Sequence, residues 1–110
     1  MLIDEAVSLA AQASSAKSVM EKQSFLYKSG AAYMKALSYA NAISSFEESI
    51  ALDPQNQLAV RSLFNKAWCE KALGNLDESA KDFQEFLRLF PTDKLAKDAE
   101  FQIALLNRRE

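Results

Sequence analysis

The chain has 110 residues, with 13 basic and 15 acidic side chains, a formal net charge of −2, no histidine and one cysteine. It has no basic excess to attract a nucleic acid. Without histidine it lacks the commonest general base and transition-metal ligand, and one cysteine excludes an internal disulfide or a cysteine-built zinc site.

Apolar residues make up 49% of the chain, and there are only two glycines and two prolines. Ala, Leu, Glu and Lys are strong helix formers and are abundant, so one all-α domain is expected. Met1-Leu2-Ile3-Asp4-Glu5 carries acids where a signal peptide would carry positive charge. No uncharged apolar run approaches the roughly 18 residues of a membrane span. A cytoplasmic protein is the expectation, although a leader removed before residue 1 would leave the same chain.

The first helix is expected over residues 2–17. Leu2, Ile3, Ala6, Val7, Leu9, Ala10 and Ala13 recur at spacings of three and four and form one apolar stripe. Ser18 and Glu21 then have the spacing of a capping box, so a second helix starts near Val19. It runs through Phe25, Leu26, Gly30, Tyr33 and Met34 to about Leu37. Gly30 costs about 1 kcal/mol against alanine inside a helix, and such a glycine marks close packing.

Ser38 caps a third helix over about 39–52, with Tyr39, Ala42, Ile43, Phe46, Ser49, Ile50 and Leu52 on its buried side. Asp53-Pro54 ends it, because the residue before a proline is pushed out of helical geometry. Asn56 caps a fourth helix over about 57–73, which Gly74 stops. Asn75, with Glu78 three residues on, opens a fifth helix that runs to about Phe90 and is closed by Pro91. Asp93 is expected to cap a last helix over 93–109.

The pattern repeats. Pro54 returns as Pro91, a shift of 37 residues (91 − 54), and at that shift Leu58 falls on Leu95, Phe64 on Phe101 and Ala67 on Ala104. Backwards, Phe64 falls on Tyr27 and Ala67 on Gly30. In the second helices Phe46 falls on Phe83, Ile50 on Leu87 and Leu52 on Leu89. A period of this size marks a solenoid of stacked hairpins.

On these residues the chain resembles the tetratricopeptide repeat family. The unit from Gln23 to Asn56 has the family length of 34 residues. It carries Gly30, Tyr33, Tyr39, Ala42, Phe46 and Asp53-Pro54. The next unit carries Ala67, then Gly74-Asn75-Leu76-Asp77-Glu78, Phe83 and Pro91. The resemblance implies a right-handed superhelix of about six antiparallel helices, with repeats at 19–54 and 56–91 flanked by an N-terminal helix and a C-terminal capping helix. First helices would line a concave face and second helices a convex one. The chain departs from the pattern at Lys66 and Glu70, four residues apart and able to pair, at Phe86, and in its 37-residue period.

Catalysis finds little support. Glu47-Glu48, Asp77-Glu78 and the Asp82/Glu85 pair fall on expected exposed faces or helix starts and read as solvated charge. No phosphate-cradling glycine loop and no nucleophile–histidine pairing exist, so no enzyme, cofactor or metal is expected. Cys69 reads as a packed small residue; as a reactive thiol it would need solvent and a cation such as Lys66 or Lys71.

The resemblance places Tyr27, Lys28, Ala31 and Met34 of the first unit on the concave face. The second unit adds Arg61, Phe64, Asn65, Trp68 and Lys71, and the last helix adds Phe101 and Arg108. This face mixes aromatics and cations with almost no acid. It reads either as aromatic packing between hairpins or as a groove for a protein or peptide segment, acidic or carboxyl-bearing, with residue types common at interface hot spots. Asn65 matches one position of the carboxylate clamp found in some family members. Tyr27 and Ala31 replace two others, so the clamp is incomplete. The leading expectation is a non-catalytic scaffold or adaptor. The alternatives are a segment of a longer assembly, self-associating through exposed terminal helices, and a small bacterial envelope or secretion-chaperone protein. Phe90-Pro91, Asp93, Leu95, Ala96 and Ala99 carry that last likeness.

Overall fold

A computed structural model describes residues 2–108. Six helices follow one another: α1 (Leu2–Ser14), α2 (Val19–Lys35), α3 (Tyr39–Leu52), α4 (Gln57–Ala72), α5 (Leu76–Leu89) and α6 (Ala96–Asn107). Each packs chiefly on its sequence neighbours. The result is an elongated, all-α solenoid of 43 × 28 × 18 Å. α2 and α4 also touch, whereas α3 and α5 do not approach to the same degree, so the first helices of the hairpins form the tighter, inner layer.

The helix starts divide into two kinds. Ser18 accepts from the Glu21 amide at 3.1 Å and Asn56 from the Ala59 amide at 3.1 Å. Each satisfies an otherwise orphaned donor of the first turn. Ser38 and Asn75 occupy the expected cap positions but make no such bond. Ser38 Oγ accepts from the Asn41 side chain instead, at 2.9 Å.

The reason lies in the preceding turns, which are closed by backbone. Ser38 N donates to Tyr33 O at 2.9 Å and Leu37 N to Met34 O at 3.0 Å. Asn75 N donates to Glu70 O at 2.9 Å and Gly74 N to Lys71 O at 3.0 Å. These paired bonds are the Schellman closure of a helix end, which needs a left-handed residue. Gly74 supplies it at φ 84°; Leu37 adopts it at φ 62° with a Cβ to accommodate.

The last helix begins three residues later than expected. Asp93 Oδ1 accepts from the Leu95 amide at 2.9 Å, a local turn that competes with helix, and the helix opens at Ala96. The expected end at residue 109 lies outside the described residues.

The core runs through both hairpins. Ala42, Phe46 and Cys69 are fully buried with Tyr27, Tyr33, Met34, Tyr39 and Ile43 around them. Val60, Leu63, Phe64, Ala67, Phe83, Phe86, Ala99 and Leu106 form the larger cluster. Phe86, where the family usually has a small residue, is fully buried and 5.5 Å centroid to centroid from Phe64. Small hydroxyls let helices approach: Ser29 Oγ donates to Ala6 O and Ser79 Oγ to Ala67 O, each at 2.8 Å.

One buried amide locks the ends of three helices. Gln23 Nε2 donates to Ser49 O at 2.8 Å and to Asp53 O at 3.0 Å. Its Oε1 accepts from Asn56, the cap of α4. The carbonyls freed where Asp53-Pro54 ends α3 thus find a donor, as buried backbone groups must.

Candidate functional site

Two helical stripes frame the site. Tyr27, Ala31 and Met34 recur at steps of four and three along α2, as do Phe64, Trp68 and Lys71 along α4. Steps of this kind put residues on one helix face. Lys28 and Arg61 flank them and are exposed; Ala31, Met34, Asn65, Trp68 and Lys71 are half-buried.

Phe64 corrects the expectation of a groove anchor. It is 6% exposed and lies edge-on between Phe83 and Phe86, 5.5 Å from each. Its place on α4 turns it to α5, where the hairpin core takes the whole ring. Tyr27, its counterpart, leans on Phe46 at 5.9 Å but stays half-buried. Trp68 sets its edge against Phe83 at 6.4 Å and keeps part of its ring open.

Lys71 completes this centre. Its Nζ lies 4.7 Å from the Trp68 ring centroid and donates to Gln102 Oε1 at 2.6 Å. The indole face attracts the ammonium, and the amide of α6 fixes where it sits. A cation is thereby held over an aromatic surface at the boundary of α4 and α6. Phe101 and Arg108 lie further along, both exposed. Lys28 hovers over Phe25 at 5.8 Å. Arg61, Lys28 and Lys71 give this face its positive character.

A second charged cluster lies elsewhere on α4. Lys66 donates to Asp82 of α5 at 2.5 Å and pairs with Glu70 at 3.0 Å and, more loosely, with Glu47 of α3 at 3.9 Å. The expected Lys66–Glu70 pair is present, but Asp82 is half-buried within it rather than solvated. Burial, and then the Asp82 carboxylate beside it, push Glu70 up to about 8. Burial pulls Lys66 down, but Asp82 and Glu70 outweigh it and hold the ammonium above its ordinary value. Glu70 Oε1 is buried without a hydrogen-bond partner. Neighbouring Cys69 is fully buried, and burial, then Glu70, push its thiol up to about 12. It carries no thiolate for chemistry at neutral pH.

Among the described residues no cluster of His, Cys, Asp and Glu is placed to hold a metal, and no helix is long and apolar enough to cross a membrane. A cleft of about 370 Å³ opens between α1 and α3 over Leu26 and Tyr33. None of the candidate residues lines it. At the matching place in the second hairpin, Lys66, Glu70 and Asp82 stand where the first has Ser29, Tyr33 and Ser45.

Comparison with known proteins agrees with this geometry. Tetratricopeptide repeat models match residues 24–56 and 60–93, the two hairpins α2–α3 and α4–α5. The chain belongs to the tetratricopeptide repeat family. Peptidyl-prolyl cis-trans isomerase FKBP4 of Mus musculus and that of Rattus norvegicus are each 30% identical over 77 residues, 70% of this chain. The chain spans 16% of the length of these relatives. The solved Arabidopsis OM64 TPR domain matches 96% of this chain and 98% of its own, with a TM-score of 0.60 and 18% identity. That likeness extends the tetratricopeptide fold over α1 and α6, beyond the two matched repeats. Membership of this family makes the chain a protein–protein interaction module.

Proposed function

We propose that the chain is a non-catalytic adaptor that binds an extended or helical protein segment along the inner face of α2 and α4. Tyr27, Ala31, Met34 and Trp68 offer apolar surface, and Lys28, Arg61 and Lys71 flank it. Asn65 adds an amide that can both donate and accept. The ligand is an acidic or carboxyl-bearing segment, because the flanking charges are positive and the face holds almost no acid.

The observation that carries this reading is the Trp68–Lys71 pair, with the ammonium 4.7 Å from the ring centroid. A half-buried tryptophan beside a positioned cation has the composition of an interface hot spot, where a few residues dominate affinity. A ligand carboxylate reaching Lys71 would gain a charge-assisted bond while its apolar neighbours cover the indole.

The test is selection of ligands from a displayed random-peptide library, followed by titration of the wild type, Trp68→Ala and Lys71→Ala. The selected peptides should be acid-rich, and each variant should weaken them about tenfold or more, or roughly 1.4 kcal/mol. Unchanged affinity in both variants would overturn the reading.

A further inference from the structure

α6 keeps the register of α2 and α4. Phe101 stands where they have Tyr27 and Phe64, Ala104 where they have Gly30 and Ala67, and Leu105 where they have Ala31 and Trp68. In both complete hairpins the next helix packs against the aromatic side of this face and leaves Ala31 and Trp68 half-buried. Phe46 of α3 lies against Gly30 and Tyr27, and Phe83 of α5 against Phe64 and Trp68. No helix follows α6 among the described residues. Its other side, Ala99, Gln102 and Leu106, is buried against the preceding hairpin. Phe101 is 59% exposed and Leu105 39% exposed, whereas Phe64 is 6% exposed.

The bare strip has charged ends. Asp98, Phe101, Leu105 and Arg108 follow one another at steps of three, four and three, and all are exposed. They span about 15 Å of helix at 1.5 Å per residue. Read in either direction the strip is charge, apolar, apolar, opposite charge. Laid antiparallel on a second copy of itself, it sets Asp98 on Arg108 of that copy twice and Phe101 on Leu105 twice. A parallel arrangement would instead set acid on acid and base on base. Self-complementarity under a two-fold axis is the requirement for an isologous contact.

We propose that the chain forms a two-fold dimer through antiparallel α6 helices, with Phe101 and Leu105 at its centre and Asp98–Arg108 ion pairs at both ends. The occupant of the uncovered face is a second copy of this chain. The strip offers much less surface than the roughly 800 Å² per partner of a standard interface, so the dimer is weak, with a Kd on the order of 100 µM. This inference stands apart from the peptide-binding reading. It withdraws Phe101 and Arg108 from the groove and leaves the groove to α2 and α4.

Sedimentation equilibrium of the full chain, from about 10 µM to about 1 mM at low salt, brackets that Kd and tests the proposal. The mass should rise from monomer to dimer across the range, and Phe101→Glu should stay monomeric. Asp98→Arg and Arg108→Asp should each weaken the dimer about tenfold, and the double variant Asp98→Arg/Arg108→Asp should restore it. Helicity by circular dichroism confirms that each variant is folded. A wild type that remains monomeric throughout, single charge variants that dimerise like the wild type, or a double variant that fails to recover would each overturn the proposal.

Discussion

A β carbon added to Gly30 would sit 2.6 Å from Cε1 of Phe46. The two residues are matched as a gap and its filling, and the fully buried Phe46 ring takes the space that a side chain would need. The second hairpin meets the same contact with Ala67 and Phe83, both fully buried.

Gly30→Ala therefore sets two effects against each other. Helix propensity gains about 1 kcal/mol, while forcing a methyl into a filled core costs about 1–3 kcal/mol. All three nearest Phe46 atoms lie under 3 Å, so the clash should win. We expect a net loss of about 1 kcal/mol in urea unfolding followed by circular dichroism. A stabilised variant would show that the hairpin opens more easily than the packing implies.

Leu37 points the other way. It holds φ 62° and is 70% exposed, so its side chain gains little from burial while its backbone bears the left-handed strain. Leu37→Gly should raise stability by about 1 kcal/mol, the usual left-handed cost for a residue with a Cβ. Thermal unfolding would show it as a rise of several degrees in Tm. Gly74→Ala, at φ 84° with open space around the Cβ, should lose a similar amount.

Glu70 makes stability depend on pH. Its folded value is raised to about 8 from 4.5, so the folded state holds the proton more tightly than the unfolded chain. That contribution is fully present below about pH 4.5 and is lost as pH rises through about 8. The Tm should fall over that window, and Glu70→Gln, which stays neutral, should flatten the slope. A wild-type Tm that rises from pH 5 to pH 8 in step with Glu70→Gln would contradict the assignment.

Removing the cation from the same cluster is more severe. Lys66→Met leaves the Asp82 carboxylate without its counter-charge, and breaking a buried ion pair typically costs about 3–5 kcal/mol. Lys66 keeps 13% of its side chain exposed, so the lower end of that range is expected. Chemical denaturation at neutral pH would measure it.

Cys69 offers a probe of opening. Fully buried, with its thiol pushed up to about 12, it should resist thiol reagents in the native state. Its labelling rate should rise with urea in step with unfolding. Rapid labelling without denaturant would mean that the α3–α4 contact opens locally.

Much of this fold was legible in the sequence because its signals are local and repeated. The 37-residue shift, Gly30 and Gly74, and the two prolines place both hairpins without any tertiary information. Ser38 and Asn75 stand at the expected cap positions, but their side chains make no cap bond, because the Schellman closure of the preceding helix already shapes that turn, and spacing alone does not reveal it. Gln23 gave no signal, since its partners are the Ser49 and Asp53 carbonyls and Asn56, all far along the chain. At the candidate site, the stripe was visible as a period, but not which aromatic turns inward. Phe64 and Trp68 are one turn apart, and only their placement against Phe83 and Phe86 separates the buried ring from the open one. Lys66 and Glu70 stood out as departures, but Asp82 could join them only once α4 and α5 were docked.

The most direct test of the central claim is amide chemical-shift mapping of the labelled chain with a library-selected acidic peptide. The account predicts shifts concentrated on residues 27–35 and 61–71, together with a change at the Trp68 indole. Shifts confined to α3 and α5, or to the cleft between α1 and α3, would contradict it.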